Sequence, residues 1–337
     1  MKNILNIFIY SLTLSLLISC NKDSHVDPVS TPFPEFESKL LYSPIDLTVV
    51  EYLEPLGCVN PPGHTLPTDH VYFYYNLPTN SHSYIQNYTP PVYAPQAGVI
   101  NWILNRGNNS KVMVKVNSNF SYYLDHIVLD STFALNSNIL AGEKIGKTDG
   151  TYAIDLGVLN SNIILSGFIN PARYGSSVNA DSPYKYYTEP LRNQMYSLIN
   201  RISKDKDGKI DYDIKGRLIG NWFHESVSVQ DSNGPVGWPK EISIAPDSYD
   251  PSITALTFGG YIGIVGKFKI GSLDPDPSQV TVNSGKVTYH LMNYFKPGNS
   301  GIIAVQVLDD LRIKVEYFSN GDVNTPEFDS KAQIYTR

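Results

Sequence analysis

The chain has little charge, few cysteines and no excess of basic residues. Only 17% of its 337 residues are Asp, Glu, Lys or Arg, and the formal net charge is −6. A chain without a basic excess offers no electrostatic footprint for nucleic acid. Beyond the N-terminal region there is also no apolar run of about 18 or more residues, so we expect no membrane-spanning helix there.

The N-terminus carries a targeting signal. Lys2 precedes an apolar run over 4–18 that is short for a membrane span, and Leu17-Ile18-Ser19-Cys20 has the form of a lipobox. This pattern predicts a lipoprotein signal peptide over 1–19 and lipid on Cys20, with an ordinary secretory signal and a chance cysteine as the alternative. Acyl chains on Cys20 would anchor the protein without spanning the membrane, at about 0.8 kcal/mol per buried CH₂.

The residues after Cys20 add to this localisation. Lys22-Asp23 resembles the Lys-plus-acid tag of some surface-exposed lipoproteins. We therefore expect a protein that is lipid-anchored to the bacterial envelope, at the outer membrane or the cell surface, with the membrane as the partner of its anchor.

The second cysteine lacks an intramolecular partner if the first carries lipid. Cys58 and Cys20 are the two cysteines of the chain, so this arrangement predicts a fold without a disulfide. His64 is near Cys58 in sequence, but Pro61-Pro62-Gly63 intervene and no orienting signature is present. We interpret Cys58 as a buried or bystander thiol, and a catalytic nucleophile is the less favoured reading.

The pattern along the chain is one of strands and turns. Residues 20–45 are polar and rich in proline, which is typical of a flexible tether. Strand-like runs without a βαβ rhythm follow, at Val71–Tyr75, Gly98–Trp102, Lys111–Val116, Tyr122–Leu129 and Ile163–Phe168. The sequence predicts a mainly β chain, with a β domain over 46–188, a helix and acidic linker over 189–215, and a small antiparallel β-barrel-like domain over 216–337.

The connector between the two β domains begins with a helix. Apolar residues recur at helical spacing from Glu189-Pro190 to about Ser203, and Pro190 suits a first helical turn. The next segment, Asp205–Asp213, imitates a calcium-binding loop. The first and twelfth positions of such a loop would be Ser203 and Ile214, which are not ligands of the EF-hand type. We interpret the segment as an acidic turn, and a calcium site is the alternative.

The C-terminal part has closely spaced strand candidates. They are Leu218–Phe223, Ile253–Phe258, Val280–Val282, Lys286–Leu291, Gly301–Val307 and Leu311–Phe318. Hairpin turns between them favour a small barrel or sandwich. Gly220-Asn221-Trp222 resembles the Gly-x-Trp of the first strand in lipocalin-type barrels, where the tryptophan closes the barrel floor. A core tryptophan on an edge strand is the alternative.

Two segments of the first β domain resemble motifs of one peptidase family. Pro91–Ile100 reads PVYAPQAGVI and Leu140–Lys147 reads LAGEKIGK, and both are similar to motifs of the M23 (lysostaphin/LytM-like) peptidases. The resemblance covers about residues 50–165 and implies a duplicated-hybrid-motif β fold related to lipoyl carriers. The glycines of these motifs allow tight hairpins and close backbone approach, so they indicate fold more strongly than activity.

The resemblance implies a zinc site with defined positions. The family holds zinc through a histidine and an aspartate near the first strand and the second histidine of a late His-x-His, and the metal activates water. His64 and Asp69 match the first two ligands with one extra residue between them, and His70 is a competing choice. A catalytic histidine of the family lies in a Tyr-x-His segment. His126 is the candidate here, although two residues separate it from Tyr123.

The late His-x-His has no counterpart in this chain. Ala153 is at the position of the acid/base histidine, and Asp155 is at the position of the zinc-binding one. Alanine cannot transfer a proton, and losing an acid/base partner removes roughly 10²–10⁴-fold of rate. Asp155 could still ligate a metal that favours oxygen donors.

These matches and departures favour a pseudo-enzyme that keeps the fold. We expect non-catalytic binding or scaffolding at the cell envelope, without a cofactor, and with peptidoglycan or an envelope protein as partner. The rival hypothesis is a zinc-dependent endopeptidase that cleaves peptidoglycan cross-links, and a third is some other β domain in which His64, Asp69 and His70 form a polar loop. Tyrosine clusters such as Tyr72–Tyr75 could stack on sugars, although cross-strand core pairs are the commoner use.

Overall fold

A computed structural model describes residues 35–77, 85, 87–232, 234–295, 298–319 and 326–337. All of them belong to one compact unit, which spans Pro34–Arg337. The predicted signal peptide, Cys20 and most of the predicted tether lie outside the described residues. Within the described ranges, no helix is both long and apolar enough to cross a bilayer.

The described part of the chain is mainly β, as predicted. Its single α-helix, α1, is Glu189–Leu198, and short 3₁₀ helices are Leu47–Val49, Pro171–Asn179, Pro183–Tyr186, Trp238–Lys240 and Val282–Ser284. The strands of the first domain are β1 (Tyr52–Glu54), β2 (His70–Tyr74), β3 (Pro91–Tyr93), β4 (Gly98–Arg106), β5 (Asn109–Lys115), β6 (Phe120–Leu129), β7 (Asn138–Ile139), β8 (Lys144–Thr148), β9 (Ala153–Asn160) and β10 (Ala180–Asp181). Those of the second are β11 (Gly220–His224), β12 (Glu241–Pro246), β13 (Thr254–Gly259), β14 (Val265–Lys269), β15 (Lys286–Asn293), β16 (Asn299–Asp309), β17 (Arg312–Phe318) and β18 (Gln333–Thr336).

The first ten strands form one antiparallel sheet. Its main path runs β1-β2-β9-β6-β5-β4-β7, while β10 pairs with β9 and β8 pairs with both β3 and β6. Alternation along the central strands places Phe73, Leu124 and Leu156 in the same hydrophobic core, because successive side chains of a strand point to opposite faces. The other face of these strands is therefore left for polar residues.

The glycines of the two motifs are required by close strand contacts. A Cβ on Gly98 would lie 2.5 Å from the Lys115 carbonyl oxygen, and one on Gly146 would lie 2.2 Å from the carbonyl oxygen of Val128. Any side chain at these two positions would force the strands apart. The motif glycines thus have the structural role that the sequence predicted.

The helix is shorter than its periodicity predicted. It ends at Leu198 rather than near Ser203, and Ile199 forms an isolated parallel bridge with Leu53 of β1. Ile199 is buried in the first core, whereas Ile202 is largely exposed. The helical spacing failed at its C-terminal end because pairing beside β1 takes Ile199 out of the helix.

Two predicted strands are wrong, and several real strands escaped prediction. Ile163–Phe168 is irregular chain after β9, with Ile164 exposed to solvent. Val282 begins a 3₁₀ helix, because Thr281 and Ser284 form a reciprocal capping box at its start. Unpredicted strands include β9, β12, β14 and β18.

The acidic segment after the helix is part of the first domain's packing. Asp207 accepts hydrogen bonds from the hydroxyls of Ser182 and Tyr196, at 2.6 and 3.0 Å. Asp211 accepts one from the backbone N–H of Gly167 at 2.7 Å. These carboxylates therefore tie the connector to the sheet domain, as an acidic turn does.

The last eight strands form a closed antiparallel barrel. Each strand pairs with the next, and β11 closes the ring against β18 through the pairs Phe223–Thr336 and His224–Tyr335. The predicted barrel-like domain is confirmed. Since β11 pairs on both sides, the alternative that Trp222 lies on an edge strand is wrong.

Trp222 is fully buried in the barrel core. Its indole Nε1 donates to the Leu218 carbonyl at 2.8 Å, and the Arg337 guanidinium lies 3.6 Å from the centroid of the indole ring. Burial lowers the pKa of Arg337 to about 10. A cation over an indole ring is a favourable contact when both are shielded from water.

Candidate functional site

A polar face is built by three neighbouring strands of the sheet. Across β2, β9 and β6, Tyr72 is opposite Asp155, and Asp155 is opposite Asp125. Because side chains alternate, His70 and Tyr123 lie on this same face, away from the hydrophobic core. The sequence positions that looked like peptidase ligands therefore come together through strand register.

The centre of this face is a hydrogen-bonded cluster around Asp69. One carboxylate oxygen of Asp69 accepts from the Tyr123 hydroxyl at 2.6 Å and lies 3.0 Å from Nδ1 of His70. The other accepts from the Ser177 hydroxyl at 2.5 Å. Burial acts to raise the pKa of Asp69, but the hydrogen bonds and the charge of His70 lower it on balance. Asp69 is thus a buried carboxylate held by its neighbours.

Gly157 makes room for the tyrosine of this cluster. A Cβ on Gly157 would lie 2.1 Å from the ring of Tyr123. Because there is no side chain at that position, the Tyr123 ring passes close to Gly157 and its hydroxyl reaches Asp69. The glycine thereby links the strand register to the polar cluster.

His126 reaches the same face through a β-bulge. Between two paired positions, β6 advances by three residues, Leu124 to Ile127, while β5 advances by two, Val112 to Ser110. His126 has a φ of 61°, in the left-handed region. The extra residue reverses the alternation, so Ile127 returns to the core and the His126 ring faces the polar side. The bulge accounts for the additional residue between Tyr123 and His126.

The two histidines of the sheet flank one buried carboxylate. Nε2 of His70 and Nε2 of His126 lie 3.5 and 3.8 Å from Oδ2 of Asp155. The Oδ1 atom of Asp155 is buried and has no hydrogen-bond partner among the described residues. Burial raises the pKa of Asp155. Asp155 is thus a buried carboxyl group with one oxygen left without a hydrogen bond.

A cavity of about 440 Å³ opens beside the cluster. On the sheet side it is lined by His64, His70 and Lys111, and on the barrel side by Trp238 and Glu241. Hydrogen bonds join the two sides directly, including one of 2.6 Å from the Thr257 hydroxyl to the Thr65 carbonyl. The cleft therefore lies between the peptidase-like sheet and the barrel wall.

The electrostatics of the cleft differ from one wall to the other. Burial, reinforced by the charge of His70, lowers the pKa of His64 to about 4. On the barrel wall, burial raises the pKa of Glu241 to about 8, with Arg173 opposing the rise. Burial thus disfavours the charged forms of both His64 and Glu241 at neutral pH. The Lys111 ammonium lies 3.8 Å from the centroid of the Tyr123 ring and supplies positive charge at the cleft.

The residues of the cluster do not fit the zinc site that the family resemblance implies. Both ring nitrogens of His70 contact protein groups, Nδ1 with Asp69 and Nε2 with the Tyr72 hydroxyl at 3.0 Å. Both oxygens of Asp69 accept hydrogen bonds, and Asp155 stands where the family has its zinc-binding histidine. Among the described residues, no group of three or more His, Cys, Asp or Glu side chains is arranged to hold a metal.

The structure brings the predicted site residues together and adds others. His64, Asp69, His70, His126 and Asp155 all lie at or beside this face, and their assignment as ligands or catalytic groups stays a prediction. Sequence reasoning missed Tyr123, Ser177, Lys111, Asp149 and Glu241. Strand alternation could have indicated Tyr123 and Lys111. Ser177 and Glu241 come from distant segments, so no local pattern identifies them.

His126 and His64 are expected to titrate far apart. A hydrogen bond of 3.2 Å to Asp149 is the main cause that raises the pKa of His126 to about 9. This pKa lies above the ordinary value of about 6.5. The charged His126 ring therefore stabilises the folded state fully below about pH 6.5, and this stabilisation is lost as the pH rises through 9. NMR titration of the ring protons should give values near 9 for His126 and near 4 for His64, with H126Q assigning the resonance. Two midpoints near 6.5 would contradict the geometry.

No model of a known protein family matches this chain, and no curated protein matches it either. A structure of Helicobacter pylori Csd3 is similar at 15% identity over 36% of this chain and 32% of that chain, with a TM-score of 0.28. The chain thus spans about a third of the Csd3 chain.

Solved peptidases are also similar. A putative peptidase M23 from Pseudomonas aeruginosa has 19% identity over 39% of this chain and 50% of that chain, with a TM-score of 0.26. A zinc-containing peptidase from Vibrio cholerae has 14% identity over 39% and 38%, with a TM-score of 0.27. The similar structures thus include peptidases of the family whose motifs the sequence resembles. Their likeness to this chain concerns the fold alone. The described part of the chain thus combines a ten-stranded antiparallel sheet, whose motifs resemble those of M23 peptidases, with a closed β-barrel.

Proposed function

We propose that this protein is a lipid-anchored component of the bacterial envelope whose peptidase-like domain binds peptidoglycan without cleaving it. The observation that carries the proposal is that neighbouring hydroxyl groups already hydrogen-bond to Asp69 and His70. These hydroxyls belong to Tyr123, Ser177 and Tyr72. Groups held this way have few lone pairs left for a metal. With Ala153 in place of the acid/base histidine, the site also has one proton-transfer group fewer.

The cleft supports a binding role. Its two walls present a lysine ammonium, an imidazole and a carboxyl within one concave surface, and such convergent polar groups are typical of ligand sites. These groups suit the amides and hydroxyls of a peptide-bearing glycan. Lipid on Cys20 at the outer membrane would keep the cleft close to such a polymer, with an envelope protein as the rival partner.

The test is co-sedimentation of the full-length chain with purified peptidoglycan sacculi. We expect the protein to pellet with sacculi, and K111A to weaken binding about tenfold because it removes the cleft ammonium, an effect of about 1.4 kcal/mol. K215A is the matched control, since Lys215 is exposed and pairs with Asp310 away from the cleft. It should bind as the unchanged chain does.

The same mixtures distinguish the rivals. Chromatography of the supernatant should show no released muropeptides, with or without added zinc. Release that depends on zinc and disappears in H126A would instead establish the endopeptidase. Failure to pellet would exclude peptidoglycan and leave an envelope protein as the candidate partner.

A further inference from the structure

A second cavity, of about 370 Å³, lies between the edge of the sheet and the barrel. Tyr52, Glu54 and Cys58 line it from the first domain, and Tyr249 and Lys267 are among its barrel-domain residues. None of the residues of the Asp69 cluster lines it. The cavity is therefore separate from the cleft described above.

Aromatic rings form much of its wall. Tyr52 and Tyr74 are stacked with ring centroids 4.6 Å apart and an interplanar angle of 20°. Tyr249 and Phe295 also line the cavity and are exposed to solvent, with Phe295 80% exposed. Large aromatic rings that stay open to solvent beside polar groups offer both an apolar face and an adjacent hydrogen-bonding edge.

A built polar network lies behind these rings. The Asp247 side chain is fully buried, pairs with the Lys267 ammonium and accepts a hydrogen bond of 2.7 Å from the Tyr294 hydroxyl. Glu54 also lines the cavity, and its Oε2 atom is buried without a hydrogen-bond partner among the described residues. Burial raises the pKa of Glu54, and the thiol of Cys58 forms a side-chain hydrogen bond with the carboxyl group. The unpartnered Oε2 atom is left to bond a ligand.

The charges around the cavity exclude strongly charged ligands. The ammonium groups of Lys267 and Lys269 lie 4.0 and 4.6 Å from the centroid of the Tyr294 ring. They already use its cation-binding face and would repel a cationic ligand. The Asp247 carboxylate in turn neutralises the Lys267 ammonium, so this pair offers no net charge to an anion. What remains is a neutral ring that carries hydroxyl groups.

We propose that this cavity binds a neutral sugar ring, which stacks on the exposed rings of Tyr249 and Phe295 and donates a hydroxyl hydrogen bond to the unpartnered Glu54 oxygen. An apolar sugar face suits an aromatic wall, and the hydroxyl edge suits Glu54 and Lys267, which both line the cavity. The proposal goes beyond the proposed function, because it concerns a different cavity and holds whether or not the cleft binds peptidoglycan.

The experiment is calorimetric titration of the full-length chain with glucose, cellotetraose and chitotetraose. We expect binding of at least one neutral saccharide, and Y249A to weaken it about tenfold. Tighter binding of a tetrasaccharide than of glucose would show that the bound ring belongs to a glycan chain rather than to a free sugar. The matched control is Y261A, because Tyr261 is similarly exposed but lies outside the cavity lining.

Outcomes that overturn the proposal are equally defined. Absence of heat with all three saccharides, an equal loss in Y261A, or tighter binding of tetramethylammonium or inorganic phosphate would each do so. F295A serves as the second variant if thermal melting shows that Y249A does not fold. Sugar binding that survives in K111A would show that this site is independent of the cleft.

Discussion

Replacing Lys267 with methionine is expected to lower the free energy of unfolding by about 3–5 kcal/mol. The substitution leaves Asp247 charged and unpaired at a site where its side chain is fully buried. Burial acts to raise the pKa of Asp247, yet Lys267 and several hydrogen bonds lower it on balance. The folded state therefore depends on this lysine to hold a buried charge.

Urea denaturation followed by circular dichroism measures the loss for K267M. R312M is the control, because Arg312 pairs with Asp309 on an exposed turn, where an ion pair contributes about 0–1 kcal/mol. The loss in K267M should also shrink as the pH falls, since protonation removes the unpaired charge of Asp247. Equal stability of the two variants would show that Asp247 is solvated.

Replacing Trp222 with alanine should destabilise the barrel by about 3–5 kcal/mol. The indole is fully buried, donates to the Leu218 carbonyl and is covered by the Arg337 guanidinium. Its removal leaves a cavity and takes away the aromatic surface on which a buried cation rests. The effect combines lost packing with a poorly compensated charge.

The same denaturation experiment applies to W222A, and W102A is its matched control. Trp102 lies on β4 and is 41% exposed, so its replacement should cost less than about 1 kcal/mol. The two variants thus compare the loss of stability when a tryptophan is removed from a core and from a surface. A small loss in W222A would mean that the barrel does not depend on a tryptophan floor.

The parts of the fold that sequence predicts best are those with local physical causes. Gly98 and Gly146 mark places where backbone from another strand leaves no room for a Cβ, so their motif indicated the fold of the first domain. The strand-like run of β5 was found in the sequence, and its side chains alternate between buried and half-buried positions. The end of the helix near Ile199 was not predicted, because Ile199 pairs with Leu53, which is far away in the sequence.

The candidate site was only partly predictable for the same reason. The motif spacing identified five candidate site residues, which are His64, Asp69, His70, His126 and Asp155. It could not show that Ser177 and Tyr123 bond to Asp69, because these residues lie far from it in the chain. Nor could it show the bulge that turns His126 toward Asp155, which looks in sequence like a departure from the motif.

The most direct measurement for the central claim is the metal content of the full-length chain, purified without chelators and analysed by elemental mass spectrometry. If Asp69 and His70 are committed to their hydrogen bonds, as the structure indicates, the protein should hold zinc only weakly and far below one ion per chain. One tightly held zinc per chain, accompanied by cleavage of cross-linked peptidoglycan, would contradict the account and establish the endopeptidase.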